Sequence, residues 1–109
     1  MKKKLTFLLA FTFLFLFSGS VFGDDLQDAK EATFKGEFKK AYKLLLPLAE
    51  QGNVTAQYNL GVMYEAGEGV AQDDKQSAKW YRLAAEQGHR KAQKKLGEIY
   101  IDGKGVPKN

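Results

Sequence analysis

The chain contains no cysteine, one histidine, one tryptophan and two prolines in 109 residues. Without cysteine there are no disulfides, no thiol nucleophile, no cysteine-ligated zinc and no lipid attachment through an N-terminal cysteine. A single histidine excludes a histidine cage for a metal within one chain. The scarcity of proline, with 44% apolar residues, is inconsistent with a disordered tail. The length allows one small domain. The formal net charge of +4 points to an acidic partner only if that charge stays on the folded part.

A hydrophobic run of membrane-spanning length is also missing. Lys2, Lys3 and Lys4 precede a largely apolar run of 13 residues, Leu5 to Phe17, and Ser18-Gly19-Ser20-Val21-Phe22-Gly23 follows. A spanning helix needs about 20 apolar residues, and Asp24-Asp25 come next. A basic start, a short apolar run and small residues at a cleavage point predict a secretory signal peptide over residues 1–23. Cleavage before Asp24 is preferred, with Val21 and Gly23 at −3 and −1; cleavage before Val21 is the second choice. The competing reading is an uncleaved anchor. Loss of residues 1–23 takes three lysines and no acid, leaving 86 residues with 14 basic and 13 acidic side chains, a net of +1. The expected mature protein is exported, periplasmic or secreted, and nearly neutral. It has no stable membrane insertion after cleavage.

An internal repeat organises what remains. An offset of 36 residues lays Leu60-Gly61-x-x-Tyr64-x-x-Gly67-x-Gly69-Val70 on Leu96-Gly97-x-x-Tyr100-x-x-Gly103-x-Gly105-Val106. It also lays Ala49-Glu50-Gln51-Gly52 on Ala85-Glu86-Gln87-Gly88. Such periods mark stacked supersecondary units. Each unit reads as two helices. Ala56, Leu60, Met63 and Tyr64 give one apolar face to a helix over 54–66, which Gly67 ends. Asp73 caps a second helix over 74–87, with Gln76 in capping-box spacing and Ser77, Trp80, Tyr81, Ala84 and Ala85 inward. Asn53 and His89 stand where the following helices need N-caps. Upstream, helices are expected over 25–35 and 38–51, the latter with Ala41, Leu45, Leu48 and Ala49 inward and bent at Pro47. About five helices result, two pairs and one odd helix.

The string from Ala56 through Leu60-Gly61, Tyr64, Gly67, Gly69-Val70, Asp73, Ala78, Trp80-Tyr81, Ala84-Ala85 and Gly88-His89 closely resembles the Sel1-like repeat, a relative of the tetratricopeptide repeat. Ala92, Leu96, Gly97, Tyr100, Gly103, Gly105, Val106 and Pro107 restart it. The resemblance implies an all-α fold: a short right-handed superhelix of αα-hairpins, about two and a half repeats long. The divisions are 1–23 signal peptide, 24–52 divergent leading hairpin, 53–88 complete repeat and 89–109 partial repeat. It implies a protein-interaction scaffold with no shared catalytic residues. Some cysteine-rich secreted relatives are associated with β-lactams, but the paired cysteines that mark them are absent here.

Candidate chemistry reduces to structure at most positions. Gly67-Glu68-Gly69 and Gly103-Lys104-Gly105 are helix-joining turns, since a phosphate loop needs a longer glycine spacing and a lysine after a strand. His89 lacks a serine or cysteine nucleophile to activate and reads as a cap. Glu65, Glu68, Asp73 and Asp74 gather near one exposed turn, which suits neither an opposed hydrolytic pair nor more than weak calcium binding. Arg90, Lys91, Lys94 and Lys95 form a solvated basic band beside Ala92, Leu96 and Ile99.

The resulting expectation is an exported, non-enzymatic adaptor that presents a helical groove to a protein partner, not to nucleic acid. No catalytic residue, cofactor or metal site is assigned. The expected contact residues are Gln57, Tyr58, Val62 and Glu65 on the concave side, and Arg90, Lys94, Leu96 and Ile99 on the last helix. That helix lacks a following partner. Ala92, Leu96, Ile99 and Tyr100 are therefore expected to form an exposed apolar edge, open to self-association, to docking of a partner or to covering by the chain's own tail. The alternatives are a cell-envelope or β-lactam-related hydrolase, by family association, and a secreted inhibitor or effector.

Overall fold

The computed structural model describes residues 24–104. The signal segment over 1–23, and the restart at Gly105, Val106 and Pro107, lie outside the described residues. Within them the chain is helical and contains no strand. α1 covers residues 24–34, followed by α2 Phe38–Glu50, α3 Val54–Ala66, α4 Asp74–Glu86 and α5 Arg90–Asp102. Successive helices pack on one another, α2 on α3, α3 on α4 and α4 on α5. This is an α-helical repeat solenoid. None of the described helices is long and apolar enough to cross a membrane.

Local chemistry sets the helix ends. Asn53 and Asp73 accept the backbone N–H of Ala56 and Gln76 at 2.9 and 3.1 Å, and Nδ1 of His89 accepts that of Ala92 at 3.1 Å. Each cap satisfies one donor that the first turn leaves free. His89 thus caps through a ring nitrogen lone pair. Gly67 and Gly103 close α3 and α5 in the left-handed conformation, at φ 73° and 72°. Pro47 lies inside α2, which continues to Glu50. It offers no N–H to the Lys43 carbonyl, and both residues are exposed.

The core forms in two clusters. Ala29 and Ala32 of α1, Ala41, Leu45, Leu48 and Ala49 of α2, and Ala56, Leu60 and Met63 of α3 gather around Trp80 of α4. Ala78, Tyr81 and Ala84 of α4 form the second cluster with Ala92 and Ile99 of α5. α4 joins them because Trp80 faces one way and Tyr81 the other. The inward stripe of α2 agrees with the sequence expectation residue for residue.

α3 and α4 meet at close range. A Cβ on Gly61 would stand 2.6 Å from Cδ1 and 2.7 Å from Cε1 of Tyr81. Only glycine lets that ring lie on the α3 backbone. Ser77 Oγ donates to the Gly61 carbonyl at 2.8 Å and Tyr81 Oη donates to Glu65 at 2.7 Å, so both edges of the contact are pinned.

Candidate functional site

Two cavities lie at repeat-related places. The first, about 180 Å³, is lined by Lys30 and Thr33 of α1, Phe38 of α2, Asn59, Val62 and Met63 of α3, and Glu68 of the following loop. The second, about 150 Å³, is lined by Glu65, Gln72, Asp74, Ser77, Ile99 and Lys104. The offset of 36 carries Phe38 to Asp74, Met63 to Ile99 and Glu68 to Lys104. One architectural seat therefore occurs twice, apolar at its first occurrence and polar at its second. Gly69 holds the first seat closed below. At φ 79° it lies so near the Phe38 carbonyl that a Cβ would stand 2.6 Å from that oxygen.

The acids of the second seat are largely engaged already. Glu65 Oε1 accepts from Tyr81 Oη and lies 3.3 Å from Lys95 Nζ. Gln72 donates to Asp74. Asp73, which does not line the seat, is committed to its cap. Burial, and then the hydrogen bond to Glu65, push the Tyr81 phenol far above its ordinary value of 10.0. Tyr64 is pushed up to about 12, by burial first and then by its hydrogen bond with Tyr42. Neither tyrosine is an acid–base group at neutral pH.

Gln57 does not present a contact surface. It is 4% exposed, its amide donates to the Ala49 carbonyl at 3.1 Å, and its Oε1 accepts from Gln87 at 2.9 Å. The same Gln87 amide donates to the Gly52 carbonyl. Gln57 is an internal bracket between the ends of α2 and α4. Its place on a first helix points to the concave side, whereas a buried amide with both ends bonded is stable inside. Tyr58 is half-buried, stacked on His89 at 4.5 Å and tilted against Tyr81 at 5.6 Å. Val62 is half-buried and lines the first cavity. Glu65 is exposed at the rim of the second.

On α5, Arg90 and Lys94 are exposed and Leu96 is half-buried. Ile99 is 7% exposed and Ala92 is fully buried, both packed against α4. The expected apolar edge at Ala92 and Ile99 is thus the inner face of α5. Of the expected edge Tyr100 is 39% exposed, and Ile101, which was not part of it, is 72% exposed. The sequence reading missed Lys30, Thr33, Phe38, Asn59, Met63 and Glu68 as a group. The signal for three of them was the change of residue type between copies, at positions 38, 63 and 68.

Paired helices stacked in a row, with seats between successive first helices, define a helical-repeat scaffold. Such Sel1-type repeats are generally non-catalytic protein-interaction modules. The chain belongs to the Sel1 repeat family, whose model matches residues 35–53, 54–89 and 90–109. It is similar to a Sel1 repeat protein from Oxalobacter formigenes, with 45% identity and a TM-score of 0.64 over 65% of this chain and 29% of that one. It is also similar to c5321, a protective antigen present in uropathogenic Escherichia coli strains that displays an SLR fold. That match has 34% identity and a TM-score of 0.76 over 84% of this chain and 21% of that one. The chain therefore spans less than a third of the length of either neighbour. No curated protein matches it significantly.

Proposed function

We propose that the chain is exported, loses residues 1–23, and works as a non-enzymatic adaptor that binds a protein partner in the groove between α1 and α3. The observation that carries the reading is the apolar seat of Phe38, Val62 and Met63. Its rim holds a cation, Lys30, and a carboxylate, Glu68. That chemistry suits a protein segment offering one apolar side chain flanked by an acidic and a basic residue. Methionine on the floor adapts to side chains of different shape. Export is supported by the basic start, the short apolar run and the small residues before Asp24.

Two measurements test this. The mass of the protein recovered outside the cytoplasm should match a chain beginning at Asp24; recovery with Met1 intact and confined to the cytoplasm would refute export. Random peptides selected on the purified protein should share an apolar residue with flanking charges, and should lose binding to a Val62→Asp variant of unchanged thermal stability. Peptides indifferent to that substitution would refute the groove.

A further inference from the structure

The outer face of α5 repeats a surface that is already covered once in this molecule. On α3, Leu60 is fully buried and Gly61 receives the Tyr81 ring, because α4 lies across them. The pairs Gly61–Ser77 and Gln57–Gln87 show that α4 runs antiparallel to α3. The offset of 36 carries Leu60, Gly61 and Tyr64 to Leu96, Gly97 and Tyr100. There, nothing among the described residues lies within 4 Å of a Cβ built on Gly97.

The side chains around Gly97 indicate what would cover it. At 3.6 residues per turn, Arg90, Gln93, Lys94, Tyr100 and Ile101 all fall within about 60° of Gly97. All of them are exposed. The two charges among them are positive and stand at the start of the helix, while Tyr100 and Ile101 stand at its end, where the Arg82 guanidinium of α4 donates to Tyr100 Oη and lies over its ring at 5.8 Å. The acids Glu98 and Asp102 lie on other sides of α5. Lys95 is turned away and paired with Glu65.

We infer that this face docks an amphipathic helix of a partner protein, antiparallel to α5. The partner helix carries a small residue four positions before an aromatic, as Ser77 precedes Tyr81. It carries carboxylates about four to seven positions beyond that aromatic. The aromatic lies on Gly97 as Tyr81 lies on Gly61. The carboxylates, and the negative end of the partner helix, meet Arg90 and Lys94. The inference rests on the protein-binding reading but uses a different face from the α1–α3 groove, so Gly97→Leu and Val62→Asp report the two separately.

The probe is a capped synthetic peptide with the sequence of residues 73–89, made with Glu or with Lys at the positions of Ala85 and Gly88. The Glu peptide should bind the intact protein about tenfold more tightly than the Lys peptide at low salt, the effect of two charge pairs. Amide shifts on binding should fall on α5. Gly97→Leu should abolish binding without lowering thermal stability. Arg90→Glu with Lys94→Glu should reverse the preference between peptides. Equal affinities, full binding to Gly97→Leu, or shifts on α3 from exchange with the resident α4 would overturn the inference. Self-association of the protein that Gly97→Leu removes, without discrimination between the peptides, would assign the face to a second copy and overturn it too.

Discussion

The same substitution at two repeat-related glycines should have opposite effects on stability. In Gly61→Ala the new methyl stands 2.6 Å from Cδ1, 2.7 Å from Cε1 and 3.0 Å from Cγ of Tyr81. Those atoms belong to a rigid ring that is fully buried, with its hydroxyl held by Glu65. The ring cannot turn aside, so α3 and α4 must separate. Overpacking of this kind costs about 1–3 kcal/mol, and alanine in place of glycine in a helix interior returns about 1 kcal/mol. With the steric term near its upper end, Gly61→Ala should lose about 1–2 kcal/mol. In Gly97→Ala the methyl meets nothing among the described residues, so only the helix term remains, a gain of about 0.5–1 kcal/mol. At about 4–8 °C per kcal/mol for a domain of this size, Gly61→Ala should melt about 5–15 °C lower and Gly97→Ala about 2–8 °C higher. Thermal and urea unfolding, followed by circular dichroism and by Trp80 emission, measure both. Equal shifts of the two variants, or a stabilised Gly61→Ala, would refute the close approach of Tyr81 to α3.

Three further outcomes follow from buried groups. The Trp80 indole N–H is buried without a partner, so Trp80→Phe should be close to neutral while Trp80→Ala loses about 3–5 kcal/mol, read from urea midpoints by circular dichroism. Gln57→Ala loses two hydrogen bonds that tie the end of α2 to the end of α4, and should destabilise by about 1–3 kcal/mol with amide exchange quickening at both ends. Alkali should also unfold the protein. Folded Tyr64 and Tyr81 hold their protons above the ordinary value of 10.0. Their contribution is therefore complete below about pH 10 and is lost above it, as the unfolded phenols ionise first; for Tyr64 the loss runs to about pH 12. Tyrosinate absorbance should rise together with loss of helix signal, and full ionisation of all five tyrosines with helicity intact would contradict this.

Much of the fold is legible in the chain because its signals are local. The caps at Asn53, Asp73 and His89 each join residues three apart. The glycine stops at Gly67 and Gly103 depend on one residue's backbone freedom. The stripe Ala41, Leu45, Leu48 and Ala49 is fixed by helical spacing alone. The offset of 36 then states that these units recur and stack.

Depth, and the character of the seats, were decided only by tertiary structure. Spacing says which way a side chain points and not how far the next helix reaches over it. Ile99 was expected at an open edge, yet α4 covers it. Gln57 looked like a surface residue until Ala49 and Gln87, 8 and 30 positions away, supplied its bonds. Phe38, Val62 and Met63 become one apolar seat because three helices converge there. The sequence by itself determined a Sel1-type stack of paired helices. Packing between distant positions decided that the Leu-Gly face at Gly61 is a closed joint, while nothing among the described residues closes the one at Gly97.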